Sequence, residues 1–309
     1  MLDYFFTVDK QILAMILMVI TGYIAYRKGI VTEKGLGDMS QLLLKIVTPM
    51  ILITSFQREF SQKEFFQWGI MFGVTVLTYG ILILTATLFY RNKSRSLWQE
   101  NRLAVVFPNN GFMAIPLMQA LAGEQGVFLG STNIILLNIL FWTYGTRTFC
   151  PEEKTKLKQA FLNPGTIAVV LGLLLFFSPW KLPAPVFQAV SAIGSLNTPL
   201  AMIVLGGFLA QTDLKAAFKN TAFYKLSAVK LLLIPCMMFA ILACLPLSSE
   251  IKVVAAICSV TPTSTALSML AELYNRDFRY ASGAVIITTL ISAVTIPVMM
   301  TLAKGILKF

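Results

Sequence analysis

The 309-residue chain has no histidine. This excludes an imidazole base, a histidine metal ligand and a histidine proton relay. It also excludes the HExxH zinc motif. Charge is scarce: 13% of the residues are Asp, Glu, Lys or Arg, about half the share of a soluble domain. The fourteen carboxylates sit at or near the ends of apolar runs, so no acid–base pair lies in the middle of one. Of four cysteines, Cys236, Cys244 and Cys258 fall inside apolar runs and Cys150 at the edge of one. Their spacing fits neither a metal knuckle nor a disulfide framework. Neither GxSxG nor a P-loop is present. These absences leave catalysis little to work with, and no enzyme activity, cofactor or metal is expected.

What fills the chain is hydrocarbon. Hydrophobic residues make up 57% and the mean hydropathy is +0.75. Apolar runs of about 20 residues, the length that spans a bilayer as helix, alternate with short charged clusters. Ten spans are expected, centred near residues 19, 46, 77, 111, 136, 170, 198, 233, 261 and 291. The fold class is therefore an all-α polytopic membrane protein, since no alternating segments suggest a barrel. The first run, "ILAMILMVITGYIAY", has no basic region before it and is followed by Arg27 and Lys28. A cleaved signal peptide has the reverse order.

The net charge of +11 is distributed by topology. With the N-terminus outside, the inner loops carry 16 Lys and Arg against 7 in the outer segments, leaving Lys45 and Lys230 inside spans. The positive-inside rule then puts both termini outside the cell membrane. The basic excess suits anionic lipid headgroups and gives no surface for nucleic acid.

The chain also repeats itself. Span 2 carries Thr48-Pro49 and span 7 carries Thr198-Pro199, 150 positions later. Span 4 breaks at Pro108-Asn109-Asn110-Gly111, and span 9 at Pro262-Thr263-Ser264-Thr265, with the prolines 154 positions apart. One proline would be an ordinary kink; two matched pairs indicate duplication. Five spans per copy is odd, so the second copy is inverted, an arrangement found in secondary transporters with sites near the midplane. A helix restarting after Pro108 points free N–H groups and its positive dipole end into the centre, and span 9 offers a second such terminus. Together they form a pocket for a carboxylate.

Those residues resemble the auxin efflux carrier family, which includes plant auxin exporters and bacterial malate and malonate permeases. The resemblance rests on "FPNNGFMAIPL", the two TP elements and "VTPTSTA", and runs essentially end to end. "RTFCPEEKTKLKQA" joins the halves where some plant members have a long cytosolic loop. Phe107 stands where the plant motif has asparagine, and with malate and malonate permeases among the bacterial members auxin is not the expected substrate. The resemblance implies a fold similar to that of bile-acid/sodium symporters: repeats at 1–150 and 151–309, spans 1, 2, 6 and 7 as scaffold, and spans 3–5 and 8–10 as a mobile bundle. It matches Pro108 to the crossover proline, Asn109 to the substrate-binding asparagine, and Asn138 in span 5 to a second asparagine that helps hold the substrate.

The expected site therefore comprises Pro108, Asn109, Asn110, Gly111, Asn138, Pro262, Thr263, Ser264 and Thr265, with Pro49 and Pro199 as helix breaks. Asn109 and Asn110 also suit helix capping, Gly111 helix packing, and Asn138 a bond to a neighbouring helix. Asn197 is a weaker candidate from the scaffold side. Lys45 and Lys230 either snorkel to an interface or form a positive inner vestibule for anions. The expected function is alternating-access transport of small organic anions, with an anion channel or a non-transporting sensor as alternatives. The coupling ion and assembly as a homodimer stay open.

Overall fold

A computed structural model describes residues 2–91, 97–152 and 157–309. Lys93, Arg95, Lys154 and Lys156 of the charge count lie outside the described residues. Among the described residues the fold is all helix, with no strand and one isolated backbone bridge.

Among the described residues seven helices are long and apolar enough to cross a membrane: Lys10–Arg27, Glu33–Ser55, Gln62–Phe89, Asn110–Phe149, Ala184–Gln211, Thr221–Cys244 and Phe278–Leu307. The number falls short of the ten expected runs for local reasons. The runs near residues 111 and 261 are interrupted, leaving Trp98–Val106, Ser249–Val260 and Ala266–Leu273 as short pieces. The run near residue 170 gives only the 14-residue Pro164–Phe177. Asn110–Phe149 carries a kink at Gly123, whose φ of 58° is a conformation glycine adopts freely.

Capping sets several helix starts. Thr32, Asn163, Ser248 and Asp277 each accept a backbone N–H from the first turn that follows. Prolines shape the interiors. Three π-helical turns, Leu43–Val47, Asn110–Ala114 and Val229–Leu233, run directly into helices whose second residue is Pro49, Pro116 or Pro235. A proline ring crowds the carbonyl four residues back and donates nothing to it; the wider turn relieves that crowding.

Packing relies on close approach, because lipid supplies little hydrophobic drive between helices. Leu2–Arg27 lies against Asn197–Gln211, with Gly22 and Gly206 at the contact. A Cβ on Gly206 would stand 2.0 Å from the Val19 carbonyl oxygen, and one on Gly22 2.1 Å from that of Ile203. Thr48–Ser55 packs on both Pro164–Phe177 and Ala184–Ser195. Ser249–Val260 packs between Ile115–Leu140 and Phe278–Leu307. Leu17, Leu84, Leu174 and Val294 face outward, an exposure suited to lipid and costly in water.

Candidate substrate site at two interrupted helices

The two interruptions meet. Asn109 N–H donates to the Pro262 carbonyl at 2.8 Å, and Ser264 N–H to the Phe107 carbonyl at 2.9 Å. These bonds form an antiparallel bridge between Pro108 and Thr263. Four of the expected site residues, Pro108, Asn109, Pro262 and Thr263, are thereby held together, and Ser264 joins them.

Why the helices stop here follows from their carbonyls. Ala104 would be paired with the N–H of residue 108, and Cys258 with that of residue 262; both are proline and have none. Each carbonyl instead takes a threonine hydroxyl, Thr263 to Ala104 at 2.9 Å and Thr261 to Cys258 at 3.0 Å. Val105 loses its partner because Asn109 N–H has turned to Pro262; Lys230 Nζ replaces it at 2.7 Å. Thr263 N–H, turned out of its own helix, donates to the Thr288 hydroxyl at 3.2 Å. Buried carbonyls must be paired somewhere; where the backbone donor is missing or has turned away, a side chain supplies it.

Lys230 is 1% exposed, so it does not snorkel. It caps the C-terminal end of Trp98–Val106, where a cation is favoured by the helix dipole. Lys45 is different: it is exposed and donates to Gln41 Oε1 at 2.8 Å, one turn back on its own helix.

Beyond the bridge the helix restarts at Asn110. Asn109 is its cap, with Oδ1 accepting Phe112 N–H at 3.3 Å. Its Nδ2 is buried and has no partner among the described residues, as is Oδ1 of Asn110. Each such group costs about 1–3 kcal/mol if left unmet. Asn110 Nδ2 lies 3.4 Å from the Tyr79 hydroxyl and 3.5 Å from Asn133 Oδ1, both at the long limit. Asn133 Nδ2 donates in turn to Thr75 Oγ1 at 3.2 Å, which is hydrogen-bonded to Thr132 Oγ1 at 2.9 Å. This buried network is absent from the sequence expectations. The polar triplet Ser131-Thr132-Asn133 inside an apolar run is the signal that marks it.

The remaining candidates are placed as follows. Gly111 is half-buried, and a Cβ there would make an ordinary contact with Leu44 Cδ2 at 3.9 Å. Thr265 is half-buried at the start of Ala266–Leu273, and Ser264 Oγ accepts Ala266 N–H at 3.2 Å. Asn138 is turned elsewhere: its Nδ2 donates to Asn163 Oδ1 at 3.1 Å and Thr166 Oγ1 at 3.0 Å, tying its helix to Pro164–Phe177. The two TP elements also meet, with Thr48 Oγ1 donating to Asn197 Oδ1 at 3.0 Å. A polar surface recess of about 670 Å³ lies apart from all of these and is lined by Arg58, Lys63, Glu59, Glu64 and Glu250, among others. Three carboxylates against two cations make it a poor anion site.

A family model described as membrane transport protein matches residues 7–160 and 152–300. The chain belongs to this auxin efflux carrier-like family of membrane transport proteins. Two archaeal relatives agree over nearly their full lengths. An uncharacterized transporter of Methanocaldococcus jannaschii is 23% identical over 298 residues, covering 92% of this chain and 95% of the relative. One of Methanothermobacter thermautotrophicus is 23% identical over 310 residues, covering 93% and 96%. Family membership together with several membrane-length apolar helices makes this a multi-pass membrane protein of a transport family.

Proposed function

We propose that this transporter is a secondary carrier of small organic anions, mono- or dicarboxylates of the malate type, resident in the cell membrane with both termini outside. The observation that carries the reading is the bridge between the interrupted helices, beside which the Asn109 amide nitrogen stays buried and unpaired. A carboxylate there would accept that N–H while sitting at the positive end of the restarted helix. Ten spans in two inverted five-helix repeats would place the crossing near the midplane. Spans 3–5 and 8–10 would then carry it past a scaffold of spans 1, 2, 6 and 7.

Energetics ties direction to coupling. A potential negative inside favours anion exit by about 2.3 kcal/mol per charge at 100 mV. Export as a uniport therefore needs no coupling ion, while uptake needs one or an exchanged anion. The test is counterflow in proteoliposomes with a panel of labelled carboxylic acids. Saturable exchange of one acid or a few supports the carrier; flux without saturation indicates a channel, and no flux of any acid removes the proposal.

A further inference from the structure

We propose that Asn197 is a second substrate-binding residue, donating to the anion from the wall opposite the interrupted helices, and that Thr48 is the positioning residue that aims it. This rests on the carrier reading above. Asn197 is fully buried, and its Nδ2 has no partner among the described residues. Its Oδ1 is occupied by the Thr48 hydroxyl at 3.0 Å. Asn109 shows the same pattern from the other side: its oxygen is held by Phe112 N–H and its nitrogen is left empty. Fixing the oxygen fixes the amide plane, so each side chain presents an oriented N–H₂ pair. Two pre-oriented neutral donors suit an anion, because they need no reorganisation when it binds.

The two lie on elements that touch. The first turn of the restarted helix, Asn110–Ala114, packs against Asn197–Gln211. Gly111 looks toward Leu44, which is one helical turn before Thr48. A Cβ on Gly111 would only touch Leu44, at 3.9 Å, so the two walls meet there in ordinary contact with no large side chain wedged between them. A purely structural role would explain the Thr48–Asn197 bond but not the empty nitrogen, whose desolvation is unfavourable until something accepts from it.

The experiment measures counterflow kinetics and thermal stability for wild type, Asn197→Ala, Thr48→Val and Thr48→Ser, using the best carboxylate of the panel as probe. Loss of a hydrogen bond to a charged ligand corresponds to roughly tenfold or more in affinity. Asn197→Ala should raise the half-saturating concentration by about that factor. Thr48→Val, which frees the amide to rotate, should raise it several-fold, and Thr48→Ser should restore it. Should Asn197→Ala not fold, Thr48→Val alone decides. Unchanged half-saturation in the folded variants, even with lowered stability, would overturn the inference and leave a merely structural bond. Absence of counterflow in the wild type would instead remove the carrier reading, and this inference with it.

Discussion

Thr263→Val isolates one hydrogen bond at the crossing with almost no change in shape. The hydroxyl at 2.9 Å is the donor that meets the Ala104 carbonyl, and that carbonyl needs it because Pro108 has no N–H. Ala104 and Thr263 are both fully buried, so water cannot substitute. Leaving a buried acceptor unmet costs about 1–3 kcal/mol. For a chain of 309 residues, average unfolding entropies convert each kcal/mol to about 1.5 °C. The expected loss is therefore about 2–5 °C in detergent, followed by tryptophan fluorescence, with Thr263→Ser near wild type. A Thr263→Val protein within 0.5 °C of wild type would refute the pairing argument.

Other consequences are equally direct. Asn109→Ala should cut counterflow at least tenfold while elution and melting stay within about 1 kcal/mol of wild type; normal transport would remove Asn109 from the site. Gly206→Leu should destabilise by about 3 kcal/mol or more and reduce the yield of folded protein, because even its Cβ meets backbone at 2.0 Å and backbone cannot yield. With the native cysteines removed, Ser249→Cys should react with an impermeant thiol reagent on intact cells and Ala216→Cys should not. Both positions are exposed, so the reverse pattern would invert the orientation drawn from the loop charges.

The helical class was legible because it depends on composition and run length alone. The helix breaks were legible too, since Pro108 and Pro262 each remove a donor wherever they sit, and the repeat spacing tied them together before any contact was known. What the sequence could not carry was the identity of the replacement donors. Lys230 is 125 positions from the carbonyl it caps and Thr263 is 159 from its own. Such partners are fixed by how helices pack, and no local pattern encodes that. Asn138 makes the same point from the other direction. Its residue type and position suited a ligand, yet two polar neighbours on Pro164–Phe177 engage its nitrogen. Asn133, five residues earlier and one face round the helix, joins the buried network at Asn110 instead. Helix length was less legible: an apolar run reveals its own extent, but a 14-residue helix or a Gly123 kink depends on where neighbours let the chain turn.

The central claim is that the anion binds beside the restarted helix, and Gly111 offers the most direct test. A Cβ there meets its nearest neighbour at 3.9 Å, an ordinary contact, so the Cβ of a cysteine displaces nothing. Gly111→Cys, in a background without native cysteines, would be alkylated in proteoliposomes at graded concentrations of the transported carboxylate and of one that is not transported. The account predicts that the transported acid slows alkylation with the same half-saturation as counterflow, while the other acid has no effect. An alkylation rate indifferent to a substrate that the variant still transports would place the anion elsewhere.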